Sequence, residues 1–105
     1  MAAVTIEAAR LGDAISTGHA CDSNSTILGA LQTSVRTNGI INAVKGDAIA
    51  PHTILGVGVG CVLHSAVVNV GSSTVFIEGI PAARYTDSAD LGQIEAGSPN
   101  VFIGG

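Results

Sequence analysis

Short runs rich in Val, Ile and Thr recur at residues 27–28, 33–35, 40–44, 66–70, 74–77 and 101–103, each bounded by Gly, Asn, Asp or Ser. β-Branched side chains pack well on a pleated surface, and runs this short between turn formers predict strands. Asn38-Gly39 and Glu78-Gly79 each separate two such runs. A glycine at positive φ there would close a tight hairpin. Residues 1–11 have the Ala and Glu content of a short helix, but Val4, Thr5 and Ile6 favour extended chain. The final run, 101–103, is followed only by Gly104-Gly105, so it must pair with an earlier strand, closing the fold and hiding an edge. The Gly-rich stretch from Ile54 to Gly60 reads as a connector or a flexible loop.

The pattern repeats. Residues 34–47 echo residues 74–87 at a constant offset, with Val35 over Val75, Gly39 over Gly79, Ile40 over Ile80, Ala43 over Ala83 and Asp47 over Asp87. Ala9-Arg10-Leu11-Gly12-Asp13 restates the end of the phrase, and Gly12-Asp13-Ala14-Ile15 matches Gly46-Asp47-Ala48-Ile49. About three copies of one strand-turn-strand unit imply a pseudo-symmetric all-β fold, and 105 residues leave room for one domain over 1–105.

Composition narrows the possibilities. Apolar residues make up 47% of the chain, yet it has one Tyr, two Phe and no Trp, so its layers are thin and it needs a staple or a partner. Charged residues are 11% and the net charge is −4. Only Arg10, Arg36, Lys45 and Arg84 could meet phosphates, and they are scattered, which argues against nucleic acid. Glycines interrupt every apolar run, so no membrane-spanning helix is expected. The first residues lack a basic and then apolar leader, so no signal peptide is indicated and the expected site of synthesis is a cytoplasm. That compartment argues against a Cys21–Cys61 disulfide and favours metal binding or a buried thiol.

His19 and His52 each follow a Gly-Asp-Ala-Ile phrase, and equivalent loops of a pseudo-symmetric fold converge near the axis. His64 lies three residues after Cys61, a pair that could grip one ion from a tight turn. Three His and one Cys satisfy a closed tetrahedral zinc site. From spacing alone either cysteine could serve: Cys61 sits close to His64, and Cys21 lies two residues from His19. The recurrent Asp13, Asp47 and Asp87 lack a base or nucleophile partner and are expected to accept local backbone N–H bonds. Arg10, Lys45 and Arg84 are each expected to pair with a neighbouring Asp. A carboxylate dyad or an open three-histidine hydrolase would need a cleft or a nearby Glu, and Glu7, Glu78 and Glu95 are all distant in sequence, so no enzyme is expected.

Pro81-Ala82-Ala83-Arg84, in its setting Gly71-Ser72-Ser73-Thr74-Val75-Phe76-Ile77-Glu78-Gly79-Ile80, resembles the phrase of the PAAR-repeat proteins. The opening Ala9-Arg10-Leu11-Gly12-Asp13 with Gly18-His19, and the closing Gly97-Ser98-Pro99-Asn100-Val101-Phe102-Ile103-Gly104, resemble the same family. The middle copy departs from it, with Ile41-Asn42-Ala43-Val44 in place of the family's four letters.

The resemblance implies a small pseudo-threefold cone of short β-hairpins, stapled near its tip by a metal. It implies a non-enzymatic tip whose broad face caps a trimeric spike protein (VgrG-like or phage spike) of a contractile injection machine and aids piercing of a target envelope. The alternative is an adaptor that couples effector or toxin cargo to the spike. The machine, a type VI secretion system, a phage tail or a related particle, would deliver the tip outward. By position, His19, His52 and His64 match the family's three histidines, holding one structural zinc, with iron as the lesser choice. The family's cysteine position is filled here by Thr86-Asp87-Ser88-Ala89-Asp90-Leu91-Gly92, so Cys61 is taken as the fourth ligand, with Asp90, Cys21 or water behind it.

Overall fold

The structure, a computed structural model, describes residues 5–105. Of the opening segment, Met1–Val4 lie outside the described residues, and Thr5–Glu7 is a strand. Among the described residues, twelve short strands pair two by two, all antiparallel. Three of the pairs form a basal layer. In the second unit β4 (Arg36–Thr37) pairs with β5 (Ile40–Ile41), and in the third β8 (Phe76–Ile77) pairs with β9 (Ile80–Pro81). The first unit is split: β12 (Phe102–Gly104) pairs with β1 (Thr5–Glu7), placing Ile103 opposite Ile6. The last apolar run therefore pairs with the first strand, as the sequence reading expected.

The turns explain themselves. Asn38 and Gly39 have φ of 55° and 78°, and Glu78 and Gly79 have 51° and 79°. Two successive positive φ values match the right-handed twist of the flanking strands.

Three backbone hydrogen bonds tie the units into a ring. Ala9 N–H donates to the Ala83 carbonyl (3.0 Å), Ala83 N–H to Ala43 (2.9 Å), and Ala43 N–H to Ala9 (2.8 Å). All three alanines are fully buried. A methyl group is what three converging backbones leave room for. Bridges Ala8↔Arg84, Arg10↔Asn42 and Val44↔Ala82 surround the ring. Below it Ala8, Val44, Ile77, Ala82 and Ile103 form one apolar cluster.

Above the ring, each unit turns on its aspartate. The N–H groups of Arg10, Val44 and Arg84 donate to the carboxylates of Asp13 (2.7 Å), Asp47 (2.9 Å) and Asp87 (2.8 Å). The local-turn reading of these residues holds. Arg10 and Arg84 also grip their aspartates through the guanidinium. The middle unit corrects the expectation for Lys45: Val44 occupies the arginine position, and Asp47 accepts instead from Leu31 N–H (2.8 Å).

Beyond each aspartate stands an upper hairpin: β2 (Ala14–Ser16) with β3 (Asn24–Thr26), β6 (His52–Gly56) with β7 (Gly60–His64), and β10 (Ser88–Ala89) with β11 (Gly92–Gln93). Ile15, Ile27, Ile49, Val68, Ala89 and Ile94 fill the space between them. Residues 27–28, 33–35 and 66–70 contribute bridges or loops rather than strands of their own. The Gly-rich 54–60 stretch is more than a connector. It belongs to the longest hairpin of the described residues, whose tip carries fully exposed Val57 and largely exposed Leu55 and Val59.

Candidate metal centre

Each unit delivers one polar side chain past its aspartate. After Asp13 the chain runs through β2 to His19, after Asp47 to His52 at the start of β6, and after Asp87 through β10 to Asp90 in the tight turn before β11. The fourth group, His64, ends β7 directly opposite His52, so both imidazoles leave the same face of the hairpin. The four side chains converge, with one ligand atom of each lying within 4.8 Å of the others.

Local backbone sets each approach. Gly18 has φ +74°, and a Cβ there would lie 2.6 Å from the Leu91 carbonyl oxygen, so glycine lets the His19 loop close on the Asp90 turn. Leu91 N–H donates to the Thr17 carbonyl (3.0 Å) across that approach. Asp90 itself sits at φ 53°, a left-handed position that Asp tolerates better than most residues. Its own N–H donates to the Val67 carbonyl (3.2 Å), and Asn69 Nδ2 donates to its carbonyl (2.8 Å).

The Asp90 carboxylate is the hub. Its Oδ1 lies 2.9 Å from His19 Nε2 and 3.3 Å from His64 Nε2, and its Oδ2 lies 2.6 Å from His52 Nε2. His52 Nδ1 lies 2.9 Å from the Ala50 carbonyl, to which it must donate. That leaves Nε2 unprotonated in a neutral ring, facing a carboxylate with lone pair against lone pair. Either His52 is an imidazolium or a cation stands in the protons' place.

Electrostatics follow this geometry. Burial pulls the His52 pKa down, but the Ala50 carbonyl and the Asp90 carboxylate outweigh it, and the net shift is upward from 6.5. Burial pushes the Asp90 pKa up, but hydrogen bonds from His19, His52 and His64 outweigh it and hold the carboxyl below 3.8. Three imidazole nitrogens and one carboxylate oxygen suit a tetrahedral divalent ion such as zinc. The bond from His52 Nδ1 to Ala50 is the outer contact that fixes a ligating ring's tautomer.

The histidines chosen from sequence are thus brought together, and Cys61 is not among them. It forms a disulfide with Cys21, and it is exposed rather than a buried thiol. The reason is parity. The Cys61–His64 pair was read as a tight turn, but both residues lie in β7, where residues three apart point to opposite faces. Asp90, held behind Cys61 in the sequence reading, occupies the place opposite the histidines. Its signal was positional, since it follows the third Gly-Asp-like turn as His19 and His52 follow the first two.

Among the described residues no helix is long and apolar enough to cross a membrane. No curated protein matches the chain. The family model for the PAAR motif matches residues 61–105, from β7 through the third unit to the closing strand β12. Residues 61–105 thus carry a PAAR motif, in keeping with the pseudo-threefold all-β architecture and the intact Pro81-Ala82-Ala83-Arg84 phrase.

Proposed function

We propose that this chain is the non-enzymatic tip of a contractile injection machine, seated by its basal layer on a trimeric β-helical spike and helping to pierce a target envelope. The observation that carries this reading is a threefold apolar display. Val35, Val75 and Val101 occupy equivalent places and are 43%, 36% and 37% exposed. Each is held by an equivalent hydrogen bond three residues back in the chain, in which Gln32 Oε1, Ser72 Oγ or Ser98 Oγ accepts the N–H of the valine at 2.9 Å. Phe76 and Phe102 extend the display in two units, and Arg36 stands at their position in the other.

A trimer offers three identical strand ends, and three equivalent valines meet them one to one. These buried acceptors keep the backbone from yielding, as a long-lived apolar interface requires. At the other end, the His19–His52–His64–Asp90 cluster would hold one structural zinc where the narrowing fold leaves little room for a core. The protein would be made in a bacterial cytoplasm and carried outward on the spike.

The test is co-purification with the trimeric spike protein of the same cell or particle. The wild type should elute at one chain per trimer, and Val75→Asp, which leaves the His/Asp cluster intact, should weaken the complex at least tenfold. A folded wild type that never joins the trimer would end this reading.

A further inference from the structure

We infer that the Cys21–Cys61 disulfide is a redox-controlled clamp that holds the ligand-bearing elements of the His/Asp cluster in register. The inference deepens the reading of that cluster as a metal site and rests on it.

The two cysteines join different ligand carriers. Cys21 lies in the loop between β2 and β3, two residues beyond His19; Cys61 lies in β7, three residues before His64. The same loop is pinned to the same hairpin by one residue more. Asp22 N–H donates to the Thr53 carbonyl (3.0 Å), and the Asp22 carboxylate accepts from Thr53 N–H (2.7 Å) and Thr53 Oγ1 (2.8 Å). Thr53 and Cys61 lie on the hairpin face opposite His52 and His64. The loop therefore grips the hairpin from behind while sending His19 over to the front. The Asp22 contacts are solvent-exposed and compete with water. The covalent bond adds a restraint between loop and hairpin that water does not compete for.

Opening the clamp needs a dithiol or a phosphine. With a dithiol, one thiolate attacks a cysteine sulfur, a mixed disulfide forms, and the second thiol resolves it. The cysteine pair gains two electrons and two protons, and the reductant leaves as its disulfide. Cys61 is exposed, so such a reagent can reach it. A reduced chain would carry a looser site, and oxidation outside the cell would tighten it.

Zinc affinity, measured by chelator competition, should be about 10–100-fold weaker in phosphine-reduced wild type than in the oxidised form, the loss usual when an outer support of a ligand is removed. Cys21→Ser/Cys61→Ser should equal reduced wild type and ignore the reductant. Equal affinity in both redox states overturns the clamp, and so does tighter binding on reduction, which would make a thiolate the ligand. Hydrogen exchange on metal-free protein provides a readout without zinc. The amides of Asp22 and Thr53 should lose protection on reduction, and unchanged protection overturns the clamp. Failure of the oxidised form to bind zinc, with that loss of protection intact, would instead overturn the metal reading alone.

Discussion

Replacing Arg84 by Met isolates what the family phrase does for stability. Arg84 Nε and Nη2 hold Asp87 Oδ2 and Oδ1 at 3.1 and 2.9 Å, and Nη1 reaches the Gly104 carbonyl at 3.3 Å, tying the third unit to the closing strand. Both partners are buried, with side chains 9% and 6% exposed. Methionine keeps much of the stem's packing but strands the Asp87 charge, and breaking a buried pair in this way costs about 3–5 kcal/mol. For a domain of this size that is a fall in melting temperature on the order of 20 °C. Arg10→Met is the internal comparison. Its pair with Asp13 has the same geometry but is 17% and 10% exposed, so water compensates more of the loss and the cost should be about half. Arg84→Met/Asp87→Ala should be more stable than Arg84→Met, because no buried charge remains. The assay is thermal and urea unfolding followed by circular dichroism, with and without chelator to separate any metal contribution. A loss under about 1 kcal/mol in Arg84→Met, or a double variant no more stable than the single, would refute the reasoning.

Other expectations follow from the same geometry. Thr86 has φ 71° at the position that Gly12 and Gly46 fill in the other units, so Thr86→Gly should raise stability by roughly 0.5–1 kcal/mol in urea melts after the glycine entropy is subtracted. Ala83→Leu pushes extra methylenes into the three-alanine ring and should cost about 1–3 kcal/mol or more, with the same assay reading it. Chelating a zinc present at about a thousand times its dissociation constant should remove roughly 4 kcal/mol of stability. The pH response should differ in sign between the two forms. Without metal, His52, raised above 6.5, stabilises fully below 6.5 and loses that contribution as pH rises through its elevated pKa; Asp90, held below 3.8, stabilises above 3.8 and loses it as pH falls. Metal-free protein should therefore gain most from this pair between 3.8 and 6.5. Zinc-loaded protein should lose stability as pH falls through the histidine range, because protons displace the ion.

How much of this was legible in the sequence depends on whether the governing interaction was periodic. The basal hairpins were readable because Asn38-Gly39 and Glu78-Gly79 combine turn chemistry with flanking β-branched runs, and β12 was readable as a strand because residues 101–103 repeat the Val-Phe-Ile of residues 75–77. The role of the alanines was not. Small size at Ala9, Ala43 and Ala83 looks like neutral filler until three backbones are seen to meet there. The histidines were found because two of them ride on the repeat. Cys61 misled because its spacing to His64 was judged without knowing the local period, and a strand at period two turns a promising pair back to back. The 54–60 glycines hid a hairpin, since the cross-strand pairing of Leu55 with Cys61 and Ile54 with Val62 leaves little trace in a stretch alternating Gly with Val. The third unit completes the logic of the repeat: it keeps Pro81-Ala82-Ala83-Arg84 and supplies a carboxylate where the other units supply imidazoles.

Three repeats, with His64 added from one hairpin, bring together the four ligands that a single metal ion would need. Elemental analysis of the purified, zinc-equilibrated protein tests this reading most directly. The wild type should carry one zinc per chain and lose it on His52→Ala or Asp90→Ala. A wild type that stays metal-free, or a His52→Ala/Asp90→Ala protein that retains a full equivalent, would contradict it.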